Sequence, residues 1–166
     1  MVDSVLNGKR ILAVDDEPDV LAVLEDEIKG AAPKCKFEKA TTYEDAVKKL
    51  ESETFDVVVL DIMGVRGFDL LDLAVQRNFR VAMLTAHSLN PESLKRSIEK
   101  GARAYLPKEK LEEIVPFLED VIEETDILSG WGRQMKKLGG YFSSRWGKMW
   151  KKSEDKFWKD FEKKTE

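Results

Sequence analysis

Ile11-Leu12-Ala13-Val14-Asp15-Asp16-Glu17 is an apolar run that stops on three consecutive acids. Such a run, short and free of polar interruption, is the pattern of a strand buried on both faces, as in a parallel sheet covered by helices. With Arg10 added, the expected strand is Arg10–Val14. Pro18 follows the acids and suits the first turn of a helix, where its missing N–H removes no bond. The pattern therefore predicts a helix over Pro18–Lys29.

The alternation continues outward. Lys36–Ala40 reads as a weaker strand, and Tyr43–Glu51 as a helix capped by Thr42. Phe55–Leu60, Val81–Leu84 and Ala102–Leu106 read as strands. Phe68–Gln76, Pro91–Lys100 and Leu111–Glu124 read as helices, the second capped by Asn90 and stopped by Gly101. Five strand–helix units predict an α/β chain with a doubly wound parallel five-stranded sheet and right-handed crossovers.

The residues that end the strands carry the chemistry. Asp15 and Asp16 follow the first run, Asp61 the third, Thr85 the fourth, and Lys108 stands just beyond the fifth. Functional groups gather at the carboxyl ends of strands in open parallel sheets. Three carboxylates in one cleft repel each other unless a cation intervenes. Mg²⁺ suits them, because it takes hard oxygen ligands and is often held by one or two carboxylates plus a phosphate. Asp16 and Asp61 are the expected direct ligands, with Asp15 acting through water. Asp61 is the expected nucleophile, since a carboxylate can form an acyl phosphate. Lys108 and the metal would neutralise the phosphoryl oxygens, and Thr85 would hydrogen-bond one of them. Each residue also has an ordinary reading. An acidic pair before a helix caps it, a strand-ending Asp turns the chain, Thr85 caps, and Lys108 is solvated. The four together, each at a different strand end, point to a site.

At these residues the chain resembles the receiver domains of two-component response regulators. The matching stretches are 11–17, Val58-Val59-Leu60-Asp61-Ile62-Met63, Leu84-Thr85-Ala86-His87 and Gly101-Ala102-Arg103-Ala104-Tyr105-Leu106-Pro107-Lys108. The resemblance covers about residues 8–125. It implies a (βα)₅ flavodoxin-like fold in which a sensor histidine kinase or phosphotransfer protein donates phosphate to Asp61. It further implies an acid pocket of Asp15 and Asp16 for Mg²⁺, with the Met63 backbone carbonyl as another ligand. Thr85 and Tyr105 would form the switch pair, and Lys108 would face the phosphate. Two departures stand out. The loop Asp61-Ile62-Met63-Gly64-Val65-Arg66-Gly67 lacks the family's usual proline and is about two residues short. Glu109 replaces the usual proline after Lys108, so a trans peptide is expected there. Met63 and His87 flank the site, and an apolar Met63 is expected to hinder attacking water. His87, the sole histidine, reads as a loop residue.

The end of the chain differs from the rest. Residues 1–125 hold 17 basic and 26 acidic residues, a balance of −9, whereas 126–166 hold 11 and 6, a balance of +5. The latter segment also carries all four tryptophans and 8 of the 15 aromatics. Phe142, Trp146 and Trp150 recur every four residues, as on one face of a helix. The expected organisation is a receiver domain over 8–125 and an amphipathic helical extension over 126–166. Ser129-Gly130 would loosen the junction, and Gly139-Gly140 and Ser153 would interrupt the helix. Three fates compete for the aromatic stripe: burial on a receiver, the chain's own or a partner's in a homodimer; contact with an anionic membrane surface; or nucleic-acid contact, the least favoured. A homodimer would use the last two receiver helices or the C-terminal helix.

One cysteine, Cys35, allows no intrachain disulfide. No signal-peptide pattern and no run long enough to span a membrane is visible, so a cytoplasmic location is expected. No motif for a catalytic output domain is visible, so the expected role is phosphoacceptor signalling rather than enzymatic turnover. The alternatives are a degenerate receiver that acts without phosphorylation and a phosphohydrolase with an aspartyl-phosphate intermediate.

Overall fold

The computed structural model describes residues 3–165. Five strands form one parallel sheet: β1 (Arg10–Val14), β2 (Lys36–Ala40), β3 (Val57–Asp61), β4 (Arg80–Thr85) and β5 (Ala104–Pro107). Their order across the sheet is β2-β1-β3-β4-β5, the flavodoxin-like order. Five helices alternate with them: α1 (Pro18–Ala31), α2 (Tyr43–Ser52), α3 (Gly67–Gln76), α4 (Pro91–Glu99) and α5 (Ile114–Glu123). α1 packs with α5 on one face and α2 with α3 on the other. The guanidinium of Arg96 on α4 stacks over the Phe68 ring of α3, which seats α4 on that second face.

Burial follows the sequence pattern. β3 is buried at all five residues, and β1 and β4 are buried beyond their first residue. β2 is an edge strand and exposes Lys36 and Lys39, charges that guard an open edge against pairing with other chains. The caps fall as expected. Thr42 accepts from Asp45 N–H at 3.1 Å, and Asn90 accepts from Ser93 N–H at 2.8 Å.

Boundaries shift for identifiable reasons. β3 starts at Val57, because the Asp56 side chain instead accepts from Arg10 N–H at 2.8 Å. The helix expected from Leu111 begins at Ile114, after a 3₁₀ turn over Lys108–Glu113. This start puts Pro116 in the first turn; three residues earlier, its ring would break an internal hydrogen bond.

The extension is helical but is not interrupted where the glycines stand. α6 (Ile127–Trp146) runs through both Ser129-Gly130 and Gly139-Gly140. Asp126 caps it, and Gly130 is buried in its first turn. Each mid-helix glycine costs about 1 kcal/mol relative to alanine, whereas burying one large apolar side chain returns about 1.5–3 kcal/mol. Trp131, Leu138 and Phe142 supply that burial along one face. The helix ends at Gly147, whose φ of 88° an L side chain rarely adopts. A 3₁₀ turn over Lys152–Glu154 contains Ser153 and leads into α7 (Asp155–Thr165).

α6 lies along the open edge of β5. The Trp131 indole N–H donates to Ala102 C=O at 2.9 Å. The Gln134 side chain accepts from Tyr105 N–H at 3.1 Å and donates to Arg103 C=O. One glutamine thus satisfies two backbone groups on the edge that a sixth strand would have covered. Of the three fates considered for the aromatic stripe, the structure shows burial on the chain's own β5 and α4 side.

Candidate functional site

The parallel register sets the strand ends side by side. Asp61 pairs with Leu84, and Thr85 pairs with Pro107, which brings Lys108 beside them. Asp15 follows β1 and is held by its N–H to Ala40 C=O at 3.1 Å. Asp15, Asp61 and Thr85 are buried, while Asp16 is exposed. One carboxylate oxygen from each of Asp15, Asp16 and Asp61 lies within 4.8 Å of the others. With Glu17, Met63, Gly64 and His87, Asp16 and Asp61 line an open cleft of about 350 Å³.

Each carboxylate is oriented. Asp15 Oδ1 accepts from Glu17 N–H at 2.9 Å, which turns the chain into α1. Asp15 Oδ2 is buried with no donor aligned on it, although Lys108 Nζ lies 2.8 Å away. Asp61 Oδ2 accepts from Gly64 N–H at 3.1 Å, and Asp61 Oδ1 lies 3.3 Å from Lys108 Nζ. Lys108 also reaches Glu17 Oε1 at 2.9 Å. Burial holds the Asp15 carboxyl above its usual range, only partly offset by Lys108 and reinforced by the Asp61 charge. Burial alone would lower the Lys108 ammonium, but its bonds to Asp15 and Glu17 and the charge of Asp61 raise it instead.

The short loop leaves the acids in place. A Cβ on Gly64 would stand 2.2 Å from Asp16 Oδ1, and one on Gly67 would stand 2.1 Å from Asp61 C=O. Glycine at both positions lets a loop without proline close tightly over the cleft. Arg66 takes the left-handed conformation, φ 56°, to begin α3. Met63 C=O accepts from Arg66 N–H at 3.3 Å, using one of its two lone pairs, and the Met63 side chain is exposed at the cleft. An oxygen donor set with a buried carboxylate oxygen countered only by the Lys108 ammonium, and a cradle kept free of side chain, fits a hard divalent cation.

Thr85 Oγ1 accepts from Ser88 N–H at 3.0 Å. Tyr105 is fully buried, and its hydroxyl lies 2.7 Å from Ser93 Oγ. No cis peptide occurs among the described residues, so the Lys108–Glu109 bond is trans as expected. Sequence reasoning missed the roles of Glu17, Gly64, Ser93 and Gln134. The doubled glycines of a shortened loop were a signal for Gly64; nothing local distinguished Gln134 from any solvent-facing helical residue.

The family model for the response regulator receiver domain matches residues 11–119. The chain belongs to the response regulator receiver family. This receiver is 37% identical over 108 residues to the two-component response regulator ARR18 of Arabidopsis thaliana, covering 61% of this chain and 16% of that one. It is 33% identical over 124 residues to ARR12 of the same plant, covering 69% and 20%. The receiver thus spans a fifth or less of these two curated relatives. Among solved structures it superposes on a CheY-like receiver domain protein from Methanospirillum hungatei with a TM-score of 0.58 at 27% identity, covering 69% of this chain and 96% of that one. A beryllofluoride-activated DrrB receiver domain gives 0.60 at 25% identity, covering 70% and 98%. The receiver's five-stranded parallel fold and its place in two-component signalling follow. Among the described residues, no helix is long and apolar enough to cross a membrane.

Proposed function

We propose that Asp61 accepts a phosphoryl group from the phosphohistidine of a sensor histidine kinase or phosphotransfer protein. A carboxylate oxygen of Asp61 attacks phosphorus, the P–N bond breaks, and the imidazole leaves with the electron pair. The observation that carries this reading is the convergence of Asp15, Asp16 and Asp61, with the Lys108 ammonium 2.8 Å from Asp15 and 3.3 Å from Asp61. Lys108 would move from Asp15 toward the new phosphoryl oxygens, and the Thr85 hydroxyl would donate to one of them. Asp16 and Asp61 would hold Mg²⁺ directly, Asp15 through water, with the Met63 carbonyl as a further ligand. When bound, the cation would offset repulsion among the carboxylates and the charge of the phosphoryl group. The work is divided between a receiver domain, 8–125, and a helical extension, 126–166. Signalling proceeds by protein contacts in the cytoplasm, with Thr85 and Tyr105 as the switch pair.

Turnover as a phosphohydrolase is disfavoured, because Met63, two residues past the nucleophile, cannot serve as a general acid. Acetyl phosphate with Mg²⁺ tests the proposal by intact mass. A gain of one phosphoryl group, lost with chelator and in Asp61→Asn, supports it. Rapid multiple-turnover phosphate release would favour the hydrolase, and no gain would favour a receiver that acts unphosphorylated.

A further inference from the structure

A second cavity, of about 460 Å³ and open to solvent, lies at the other end of the sheet from the acids. Its walls come from the amino ends of three strands. Asp56 precedes β3, Arg80 begins β4 and Arg103 precedes β5. Asn78 and Phe79, just before β4, add to it, and so does Ile127, the first residue of α6. The extension therefore contributes to one wall.

The two arginines are half-buried, and both hold the carboxyl end of α5. Arg80 donates to Ile122 C=O at 3.2 Å, and Arg103 donates to Glu124 C=O at 3.3 Å. A helix end carries only about half a negative charge, less than one guanidinium supplies. Each guanidinium has five N–H donors and spends one of them here. Neither forms an ion pair among the described residues, and the neighbouring acids are engaged elsewhere. Asp120 and Glu124 pair with Arg133, and Asp126 caps α6 and binds the Ser129 hydroxyl. Burial, and after it the charge of Arg80, lowers the Arg103 guanidinium, which Asp126 only partly offsets. Two like charges are thus held near each other with most of their donors unspent.

We propose that this cavity binds a small phosphate monoester, its phosphate seated between Arg80 and Arg103. The planar fork of a guanidinium matches two phosphate oxygens at once, and two forks suit a dianion. The cavity falls within the range of about 300–1,000 Å³ found for small-molecule sites, which leaves room for an organic body beyond the phosphate. Asp56 selects a hydroxyl-bearing body. One oxygen of its carboxylate accepts from Arg10 N–H at 2.8 Å; the group repels a phosphate but accepts from a hydroxyl. Asp56 therefore sets which end of the ligand meets the arginines. The site uses none of the groups around Asp61 and is independent of the phosphoacceptor reading.

Two-dimensional NMR of the full chain in chelator, at fixed ionic strength, tests this with glycerol 3-phosphate and inorganic phosphate as probes. Without a cation the carboxylates of the acidic cleft repel both probes. Glycerol 3-phosphate should shift the amides of Asn78, Phe79, Gly101 and Arg103 saturably, leave those of Asp16 and Gly64 in place, and bind several-fold more tightly than inorganic phosphate. Equal binding of the two overturns the ester in favour of a free phosphate ion. Shifts that do not saturate, or that fall instead on the lysines of α6 and α7, overturn the site. Arg103→Gln should weaken binding at least about tenfold, as expected for loss of a charged hydrogen-bond donor. Arg80→Lys, which keeps the charge at the α5 end but loses the fork, should weaken it several-fold. Dispersed amide signals show that each variant is folded; either folded variant that binds as tightly as the parent rejects the assignment. Asp56→Asn should tighten inorganic phosphate more than the ester, and an equal gain for both rejects the proposed orientation.

Discussion

Lys108 Nζ lies 2.8 Å from Asp15 Oδ2, nearer than the 3.3 Å that separates it from Asp61 Oδ1. In the unmodified protein this lysine is the neutralising charge of the acid pocket. In the proposed function a cation would take over that role and free the ammonium for a phosphoryl group.

Replacing Lys108 with Met leaves buried Asp15 and Asp61 facing each other without a counter-charge. Breaking a buried pair in this way costs about 3 kcal/mol. Urea unfolding should show that loss in chelator and a clearly smaller loss in millimolar Mg²⁺, because the cation substitutes for the ammonium. Equal losses in both buffers would remove the argument that lysine and cation share one pocket.

Gly64→Ala places a methyl group on the Asp16 carboxylate, at 2.2–2.5 Å from its atoms. Asp16 is exposed and can swing away, so stability in chelator should change by less than about 1 kcal/mol. Mg²⁺ affinity, measured by calorimetric titration, should fall at least about tenfold, as for other residues that orient a ligand. Undiminished affinity would mean that Asp16 is not a ligand.

Gln134→Leu keeps the bulk of the side chain but orphans Tyr105 N–H and Arg103 C=O on the β5 edge. Unsatisfied buried groups cost about 1–3 kcal/mol each, so urea unfolding should lose about 2–4 kcal/mol. A loss under about 0.5 kcal/mol would show that water replaces the glutamine.

The Tyr105 hydroxyl is pushed up to about 12 by burial, against the pull of its bonds to Ser93 and Asn90. The unfolded chain loses that proton near 10. Between these values the folded state binds more protons, so stability falls as pH rises from about 10 to 12. The raised Lys108 acts in the same direction above its ordinary value. The melting temperature of Tyr105→Phe should therefore decline less steeply over this window than that of the parent. Parallel slopes would place the alkaline sensitivity elsewhere.

The strands and most helix caps were legible because their causes are local. Apolar runs of four to six residues, Thr42 and Asn90 before helices, and Gly101 after one act within a few residues of themselves. Misreadings arose where a local preference met a distant partner. Gly139-Gly140 reads as a break, but Trp131, Leu138 and Phe142 bury one face of α6 and carry the helix through. The start of α5 was misplaced because the weight of Pro116 depends on its position within the turn.

By itself the sequence determined five buried apolar runs and the acids, hydroxyl and lysine that end them, since strand alternation and residue chemistry are properties of neighbours along the chain. Only the tertiary structure decided that Lys108 pairs with Asp15 and Glu17, that Gly64 makes room for Asp16, and that the aromatic stripe covers the chain's own β5. Each of these is a contact between residues far apart in sequence, fixed by the register of the sheet and by which open edge was left to bury.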